Sequence, residues 1–137
     1  MNTISVGTGR DLSHKKDFLT ARRTRFTMSR KQLMKIISEI SRKIAVKYKP
    51  EKIILFGSCA RGNFAPDSDI DILIIKNVKN KTFAERWQEV SRITRDLKRR
   101  IPLEPLVFTP SEIKQKLKDG DFFIKDIFKN GKVVYEK

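Results

Sequence analysis

A glycine turn, two alternating aspartates and an aliphatic run follow one another in this 137-residue chain, between Gly57 and Ile75 (GSCARGNFAPDSDIDILII). Successive side chains of a strand point to opposite faces, so Asp69 and Asp71 are expected on one face, with Cα atoms about 6.5 Å apart. The aliphatic side chains then point the other way, toward a core: Ile70, Ile72 and Ile74. The stretch predicts a buried strand with two acids at its mouth.

Two carboxylates at the end of an apolar strand repel each other, and burial disfavours their charged forms. A divalent cation removes that repulsion. Magnesium prefers oxygen ligands, commonly one or two protein carboxylates completed by waters and substrate phosphates. Asp69 and Asp71 are therefore predicted to bind Mg²⁺, although without the upstream turn an Asp-x-Asp pair is more often a solvated strand edge.

The turn before the acids suits a phosphate. Gly57 allows close approach of the backbone, and the N–H groups of a helical turn beginning near Ser58 favour an anion. Arg61 can neutralise phosphate charge, and the chain reverses at Gly62 before returning through a loop that ends at Ser68. Gly57, Ser58, Arg61 and Ser68 are the predicted nucleotide-binding residues.

A third acid would complete a clamp of two metal ions, which lie about 3.5–4 Å apart in such sites. Glu104 is the candidate, because it opens a later strand in which acids are scarce. If that strand pairs beside Ile70–Ile75, Glu104 could face the aspartates and accept a proton from an attacking hydroxyl. Asp69, Asp71 and Glu104 are the predicted catalytic and metal-binding residues.

The formal charge of +15 is concentrated at the front of the chain, where residues 1–50 contain 13 Lys and Arg against 3 acids. Such a field attracts polyanions, whether nucleoside triphosphate, RNA or an acidic protein, without selecting among them. A solvated basic face with no nucleic-acid partner is an equally good explanation. An RNA-binding module ranks low, because no RNA-binding motif accompanies the charge.

Periodicity divides the chain into a basic extension, residues 1–27, and one domain, residues 28–137, whose first helix follows the N-cap Ser29. Helices are predicted over Arg30–Tyr48, from Thr82 to the basic end Lys98–Arg100, from Thr109 to about Leu117, and around 122–128. Strands are predicted at Lys52–Phe56, Ile70–Ile75, Leu103–Phe108 and Lys132–Tyr135. Pro105 in the third predicts either an edge position or a local bulge. The fold class is α/β (α+β), a small mixed sheet flanked by helices.

Several residue classes are predicted to have no special role. The single cysteine, Cys59, could have a lowered pKa at a helix start but is better explained as a small core residue. Aromatic residues at helical spacing are predicted to be core rather than base-stacking surfaces: Trp87, Phe122, Phe123 and Phe128. No apolar run reaches the roughly 18 residues of a membrane span, and no secretory signal is evident, so we expect a cytoplasmic protein.

Gly57-Ser58, ten intervening residues and Asp69-x-Asp71, with Ala60-Arg61-Gly62 inside and a strand on either side, resemble the signature of the polymerase-beta-like nucleotidyltransferases. Over residues 28–137 the chain is similar to the short members, the minimal nucleotidyltransferases. The resemblance implies that Gly57 and Ser58 hold the triphosphate, that Asp69 and Asp71 hold magnesium, and that Glu104 is the third carboxylate. Aspartate is common at that last position, so Glu104 is a departure from the pattern.

The resemblance also implies a function. Minimal nucleotidyltransferases commonly serve as antitoxins of HEPN-domain ribonuclease toxins, which implies a transfer of AMP from ATP to a tyrosine of the toxin. Two alternatives stay open at this point: an antitoxin that only binds its toxin, and a nucleotidyltransferase with a small-molecule acceptor such as an aminoglycoside.

Overall fold

The structure is a computed structural model that describes residues 29–62, 68–97 and 102–137. The predicted extension, residues 1–27, lies outside the described residues. Within the described ranges, five helices and four strands occur in the order α1 (Arg30–Tyr48), β1 (Lys52–Phe56), α2 (Gly57–Arg61), β2 (Ile70–Ile75), α3 (Phe83–Ile93), β3 (Leu103–Phe108), α4 (Pro110–Lys118), α5 (Phe122–Asn130) and β4 (Lys132–Glu136).

Helix α1 begins at a capping box in which Ser29 and Gln32 satisfy each other's backbone N–H groups. Its apolar stripe is buried against the sheet as predicted: Leu33, Ile36, Ile37, Ile40, Ile44 and Tyr48. The helix ends at Lys49, whose backbone is left-handed with φ of 56°, directly before Pro50. Both bounds agree with the sequence prediction, because the cap and the proline are local signals.

The four strands form one mixed sheet in the order β3-β2-β1-β4. Strand β1 pairs antiparallel with β2 and with β4, whereas β2 and β3 are parallel. A crossover through α3 joins the two parallel strands, as such pairs require. The mixed α/β class is confirmed, and Pro105 lies in the edge strand β3, where a missing N–H is tolerated.

Each face of the sheet has its own core. One contains Ile70, Ile72 and Ile74 packed against α1 and α3. The other contains Leu73 and Ile75 packed against α4 and α5. By strand alternation Asp71 belongs to the second face, next to the first residue of β2.

Helix α3 ends earlier than predicted. It begins at the Thr82–Glu85 capping box but stops at Ile93, and residues 94–97 form turns. The hydroxyl of Thr94 donates to the carbonyl of Val90 at 2.9 Å, a local bond that competes with continued helix. The predicted basic end, Lys98–Arg100, lies outside the described residues.

The prediction that the helical aromatic residues are core is wrong. Phe122 is 84% exposed and Phe123 52%, while Trp87 and Phe128 are each 39% exposed. In α5 the core positions are taken by Ile124 and Ile127, and the neighbouring phenylalanines fall outside that stripe. Across the described ranges, none of the helices combines the length and the apolarity that crossing a bilayer demands.

Candidate active site

Gly57 begins the turn between β1 and β2 under two constraints. Its φ is +74°, a conformation that residues with a Cβ rarely adopt. A Cβ at this position would also lie 2.4 Å from Oδ2 of Asp71. Any other residue would strain the backbone and displace the carboxylate, so Gly57 allows the turn and Asp71 to come together.

The turn itself is the short helix α2, and it ends at Gly62 with φ of +80°. The N–H of Gly62 donates to the carbonyl of Ser58, which closes the turn. Ser58 is half-buried within it, and Arg61 is exposed at its end. This is the strand, glycine and helical turn that the sequence predicted.

Asp71 is the second residue of β2 and is half-buried. Its register partner in β1 is Phe56 and its register partner in β3 is Glu104. Neighbouring residues in register share one face of a sheet, so Phe56, Asp71 and Glu104 form a row across three strands. The exposed Asp69 directly precedes β2.

The acids influence one another electrostatically. Burial raises the pKa of Asp71 above its usual range, and the charges of Asp69 and Glu104 raise it further. Arg61 opposes these effects and lowers the pKa. Three acids and one arginine are therefore close enough to interact, and a positive ion beside Asp71 would stabilise its charged form.

The predicted site residues thus assemble around one end of β2. Asp71 is at the centre: Gly57 contacts its carboxylate, and Glu104 is its register partner. The charges of Asp69 and Arg61 also influence its pKa. Ser58 lies in the adjoining turn, and the half-buried Ser68 lies immediately before Asp69. The loop between Gly62 and Ser68 is outside the described residues.

The arrangement of possible metal donors can be compared with what a metal ion needs. Within residues 29–62, 68–97 and 102–137, no group of three or more His, Cys, Asp or Glu side chains is placed so as to hold a metal ion. The side chains of Asp69, Asp71 and Glu104 nonetheless suit a hard cation such as Mg²⁺, because they offer oxygen ligands. A bound cation would also offset the repulsion between their negative charges. The three acids remain the predicted ligands.

Cys59 is a core residue in α2. It is 1% exposed, and its thiol donates to the backbone carbonyl of Asp69 at a distance of 3.4 Å. Burial, with the charges of Asp71 and Asp69, raises its pKa to about 11. The thiol is therefore protonated at neutral pH, in agreement with the prediction of a small filling residue.

Two neighbours of the site were not predicted from the sequence. Phe123 packs edge-on against Phe56, with ring centroids 5.6 Å apart, and so lies next to the row that contains Asp71. Arg30 lies against the turn, because a Cβ on Gly62 would be 3.0 Å from its Nη1. Contacts between α5 and β1 place Phe123 there, and the sequence predicted neither neighbour.

Comparison with known proteins gives a consistent result. Residues 27–137 match the family model described as polymerase beta, nucleotidyltransferase. The chain is 33% identical over 81 residues to the putative protein adenylyltransferase MJ0141 of Methanocaldococcus jannaschii, covering 56% of this chain and 80% of that protein. It is 30% identical over 114 residues to MJ1305 of the same organism, also named a putative protein adenylyltransferase, covering 80% of this chain and 76% of that protein.

Among solved structures, the crystal structure of a putative nucleotidyltransferase from Sulfolobus solfataricus covers 81% of this chain and 85% of its own, with 25% identity and a TM-score of 0.48. The family match alone spans the sheet, all the described helices and the predicted site. The chain therefore belongs to the polymerase beta nucleotidyltransferase family, as one of its minimal members.

Proposed function

We propose that this protein transfers AMP from ATP to a hydroxyl of a partner protein. The acceptor that we expect is a tyrosine of a HEPN-type ribonuclease toxin, which makes the chain the antitoxin of that toxin in the cytoplasm. The observation that carries the proposal is the acidic row: Asp71 stands in register with Glu104 and against Gly57. The relatives MJ0141 and MJ1305 are named as putative protein adenylyltransferases, which supports a protein acceptor.

In this proposal each residue has a role in binding or proton transfer. The turn at Gly57 and Ser58 would hold the triphosphate, with Arg61 and Ser68 at its sides. Asp69 and Asp71, joined by Glu104, would hold magnesium, which supplies positive charge to the phosphate oxygens. The expected number of ions is two.

The transfer balances without any further reactant. The acceptor oxygen forms a bond to the α-phosphorus, and the bond from that phosphorus to the bridging oxygen breaks, releasing pyrophosphate. The proton of the hydroxyl passes to the carboxylate of Glu104, which lies beside Asp71 and faces solvent. Asp71 is half-buried and its pKa is raised, so its charged form destabilises the folded protein at neutral pH. Groups with perturbed pKa values are concentrated at functional sites.

Label transfer tests the proposal. The chain is co-expressed with a HEPN-type partner and incubated with ATP labelled on its α-phosphate, with and without Mg²⁺. Asp71→Asn removes the central carboxylate, and Asp126→Asn, an exposed change on α5, is the matched control. We expect label on the partner that requires Mg²⁺, disappears in Asp71→Asn and persists in Asp126→Asn.

Two other outcomes identify the alternatives. A stable complex that binds nucleotide but never becomes labelled would establish an antitoxin that acts by binding alone. Label that appears only on an added small molecule, such as an aminoglycoside, would establish a different acceptor class.

A further inference from the structure

Phe123 is a half-exposed phenylalanine at the start of α5, beside the candidate site. Its side chain is 52% exposed, although its ring meets the ring of Phe56 edge-on, at an angle of 86°. An exposed apolar residue is by itself ordinary on a protein surface. The position of Phe123 in the fold gives it a meaning, because Phe56 connects it to the acidic row.

Phe56 adjoins both parts of the candidate site. It is the register partner of Asp71, and residues opposed in this way have Cβ atoms about 5 Å apart on the same face of the sheet. It also directly precedes Gly57, where the turn α2 begins. Helix α5 itself contacts both β1 and α2. Phe123 is therefore separated from Asp71 by a single side chain, and its helix packs on the turn.

The two sides of Asp71 differ in chemistry. On the side of β3 its neighbour is Glu104, which accepts the proton of the acceptor hydroxyl in the proposed function. On the side of β1 its neighbours are Phe56 and Gly57, which lead into the turn proposed to hold the triphosphate. Attacking and leaving oxygens lie roughly in line in phosphoryl transfer, so the acceptor and the pyrophosphate occupy opposite sides of the phosphorus. The aromatic pair is thus on the side of the nucleotide.

The aromatic pair suits the base of that nucleotide. The ribose separates the base from the α-phosphate, so the base must rest beyond the side chains that hold the metal and the phosphates. Every nucleobase has a flat π-face that stacks on an aromatic side chain. The edge-on contact with Phe56 holds the ring of Phe123, and about half of the Phe123 side chain stays open to a second ring.

We infer that Phe123 is the stacking platform for the base of the nucleotide, with its ring held by Phe56. The inference rests on the proposed function for the identity of the ligand as a nucleoside triphosphate. It adds a division of labour within the site: the base is bound by Phe123, and the phosphates are bound by the turn and the acids.

Two ligands separate these contributions. ATP and inorganic tripolyphosphate both contain a chain of three phosphates, but only ATP has a base. Isothermal titration calorimetry on the full chain with Mg²⁺ measures the affinity for each ligand, and no acceptor is needed. Phe123→Ala should weaken ATP binding about tenfold, because the stacking contact is lost, and should leave tripolyphosphate binding within about twofold of the unchanged protein.

Phe123→Tyr keeps the ring and should bind ATP within about twofold of the unchanged protein. Asp71→Asn removes a carboxylate from the part of the site that both ligands share, so it should weaken the binding of both. These two variants distinguish the loss of a stacking surface from a loss of metal and phosphate binding.

Phe83→Ala is the matched control. Phe83 is 46% exposed and packs against a phenylalanine of a strand, Phe108, with ring centroids 5.6 Å apart, the same separation as in the pair of Phe123 and Phe56. Phe108 is in register with Ile75, at the far end of β2 from Asp71. Both ligands should bind Phe83→Ala as they bind the unchanged protein.

Four results would overturn the inference. They are unchanged ATP affinity in Phe123→Ala, an equal loss for tripolyphosphate in that variant, an equal loss of ATP affinity in Phe83→Ala, and a loss in Phe123→Tyr as large as in Phe123→Ala. If the unchanged protein binds tripolyphosphate and ATP but Phe123→Ala has no effect, the proposed function stands without this platform. If it binds neither ligand, the proposed function and the inference both fail.

A second arm uses label transfer to the HEPN-type partner. Phe123→Ala should raise the KM for ATP about tenfold while the KM for the partner stays the same. The reverse pattern would show that Phe123 contacts the acceptor, which overturns the inference. If no variant transfers label but ATP binding follows the expected pattern, the proposed function fails and the base platform is supported.

Discussion

Asp71 and Glu104 are register partners in the parallel pair of β2 and β3, with side chains on the same face of the sheet. Adjacent strands are about 4.8 Å apart, so the two carboxyl groups cannot avoid each other's charge. The consequence is visible in Asp71, whose pKa is raised by Glu104 as well as by burial and Asp69. A fold that keeps such a pair accepts an energetic penalty at one edge of its sheet.

Glu104→Gln tests this relationship directly. Removal of the charge should lower the pKa of Asp71, which an NMR titration of the Asp71 carboxyl would measure. If Glu104 accepts the proton of the acceptor hydroxyl, kcat should fall about 10²–10³-fold while nucleotide affinity changes little.

Glu104→Asp provides the comparison, since it restores the acid on a shorter side chain. Partial recovery of kcat is expected. A shifted pKa of Asp71 with unchanged kcat would mean that Glu104 is an electrostatic neighbour and takes no part in the transfer.

Asp71→Asn should make the metal-free protein more stable. The folded-state pKa of Asp71 is raised, so its charged form opposes folding at neutral pH, and that penalty develops as pH rises through the unfolded and then the folded pKa. The neutral amide removes it. Thermal unfolding at pH 7 should show a higher Tm for the variant, and the difference should shrink at a pH below the unfolded value.

Mg²⁺ with ATP should raise the Tm of the unchanged protein and have a much smaller effect on Asp71→Asn. A variant that is less stable than the unchanged protein at pH 7 would show that Asp71 has a favourable structural role that outweighs the repulsion.

Gly57→Ala and Gly120→Ala form a matched pair. Both glycines have positive φ, +74° and +79°, so alanine introduces similar backbone strain of about 1 kcal/mol at each. At Gly120 a Cβ meets nothing within 4 Å, whereas at Gly57 it would meet Oδ2 of Asp71 at 2.4 Å. Chemical denaturation should therefore show the larger loss of stability for Gly57→Ala.

Label transfer should separate the pair further. Gly57→Ala should abolish it by displacing the carboxylate and the turn, and Gly120→Ala should leave it near normal in the folded protein. Equal effects of the two changes on stability and transfer would mean that the close approach at Gly57 is accommodated without consequence.

Sequence patterns predicted most of the elements because the signals were local. The capping boxes at Ser29, Thr82 and Thr109 set helix starts, and Pro50 set a helix end. The strand order could not be predicted, since hydrophobic runs such as Ile53–Leu55 and Ile72–Ile75 show that strands are buried without identifying their neighbours. The position of Glu104 beside Asp71 depends on that order. The sequence therefore predicted it only on the condition that the strand of Glu104 pairs with Ile70–Ile75.

The exposed aromatic residues show a second limit of prediction from sequence. Phe122 and Phe123 are hydrophobic and lie in a helix, but a helix buries only one stripe of its surface. In this helix Ile124 and Ile127 form that stripe. Hydrophobicity alone cannot tell which of several apolar residues faces the core. The same reasoning applies to Val46, which is apolar and outside the stripe of α1.

Arg86 and Glu112 offer a last prediction, away from the site. Arg86 is 8% exposed in α3, and its guanidinium donates to both carboxylate oxygens of Glu112, at 2.7 and 3.3 Å. Glu112 also closes the capping box of α4 by accepting from the N–H of Thr109 at 2.8 Å. One carboxylate therefore ties the start of α4 to the helix on the other side of β3.

The hydrogen bond from Arg86 lowers the pKa of Glu112, with the Thr109 backbone also contributing. A depressed folded-state pKa stabilises the protein above the unfolded value, near 4.5, and this contribution is lost as pH falls through the folded pKa. Glu112→Gln should keep the cap and lose the charge pairing, which we expect to cost about 1 kcal/mol at pH 7, because the 41% exposed carboxylate is partly screened by solvent. The loss should diminish at a pH below the folded pKa, where the unchanged carboxyl is also neutral.

The ion pair of Lys52 with Glu136, at 3.2 Å and with an exposed glutamate side chain, is the control. Glu136→Gln should change the free energy of unfolding by about 0.5 kcal/mol or less, because exposed pairs contribute little. Urea denaturation at two pH values measures both variants. Equal losses in Glu112→Gln and Glu136→Gln, or a loss in Glu112→Gln that does not depend on pH, would show that the pairing with Arg86 adds nothing beyond the helix cap.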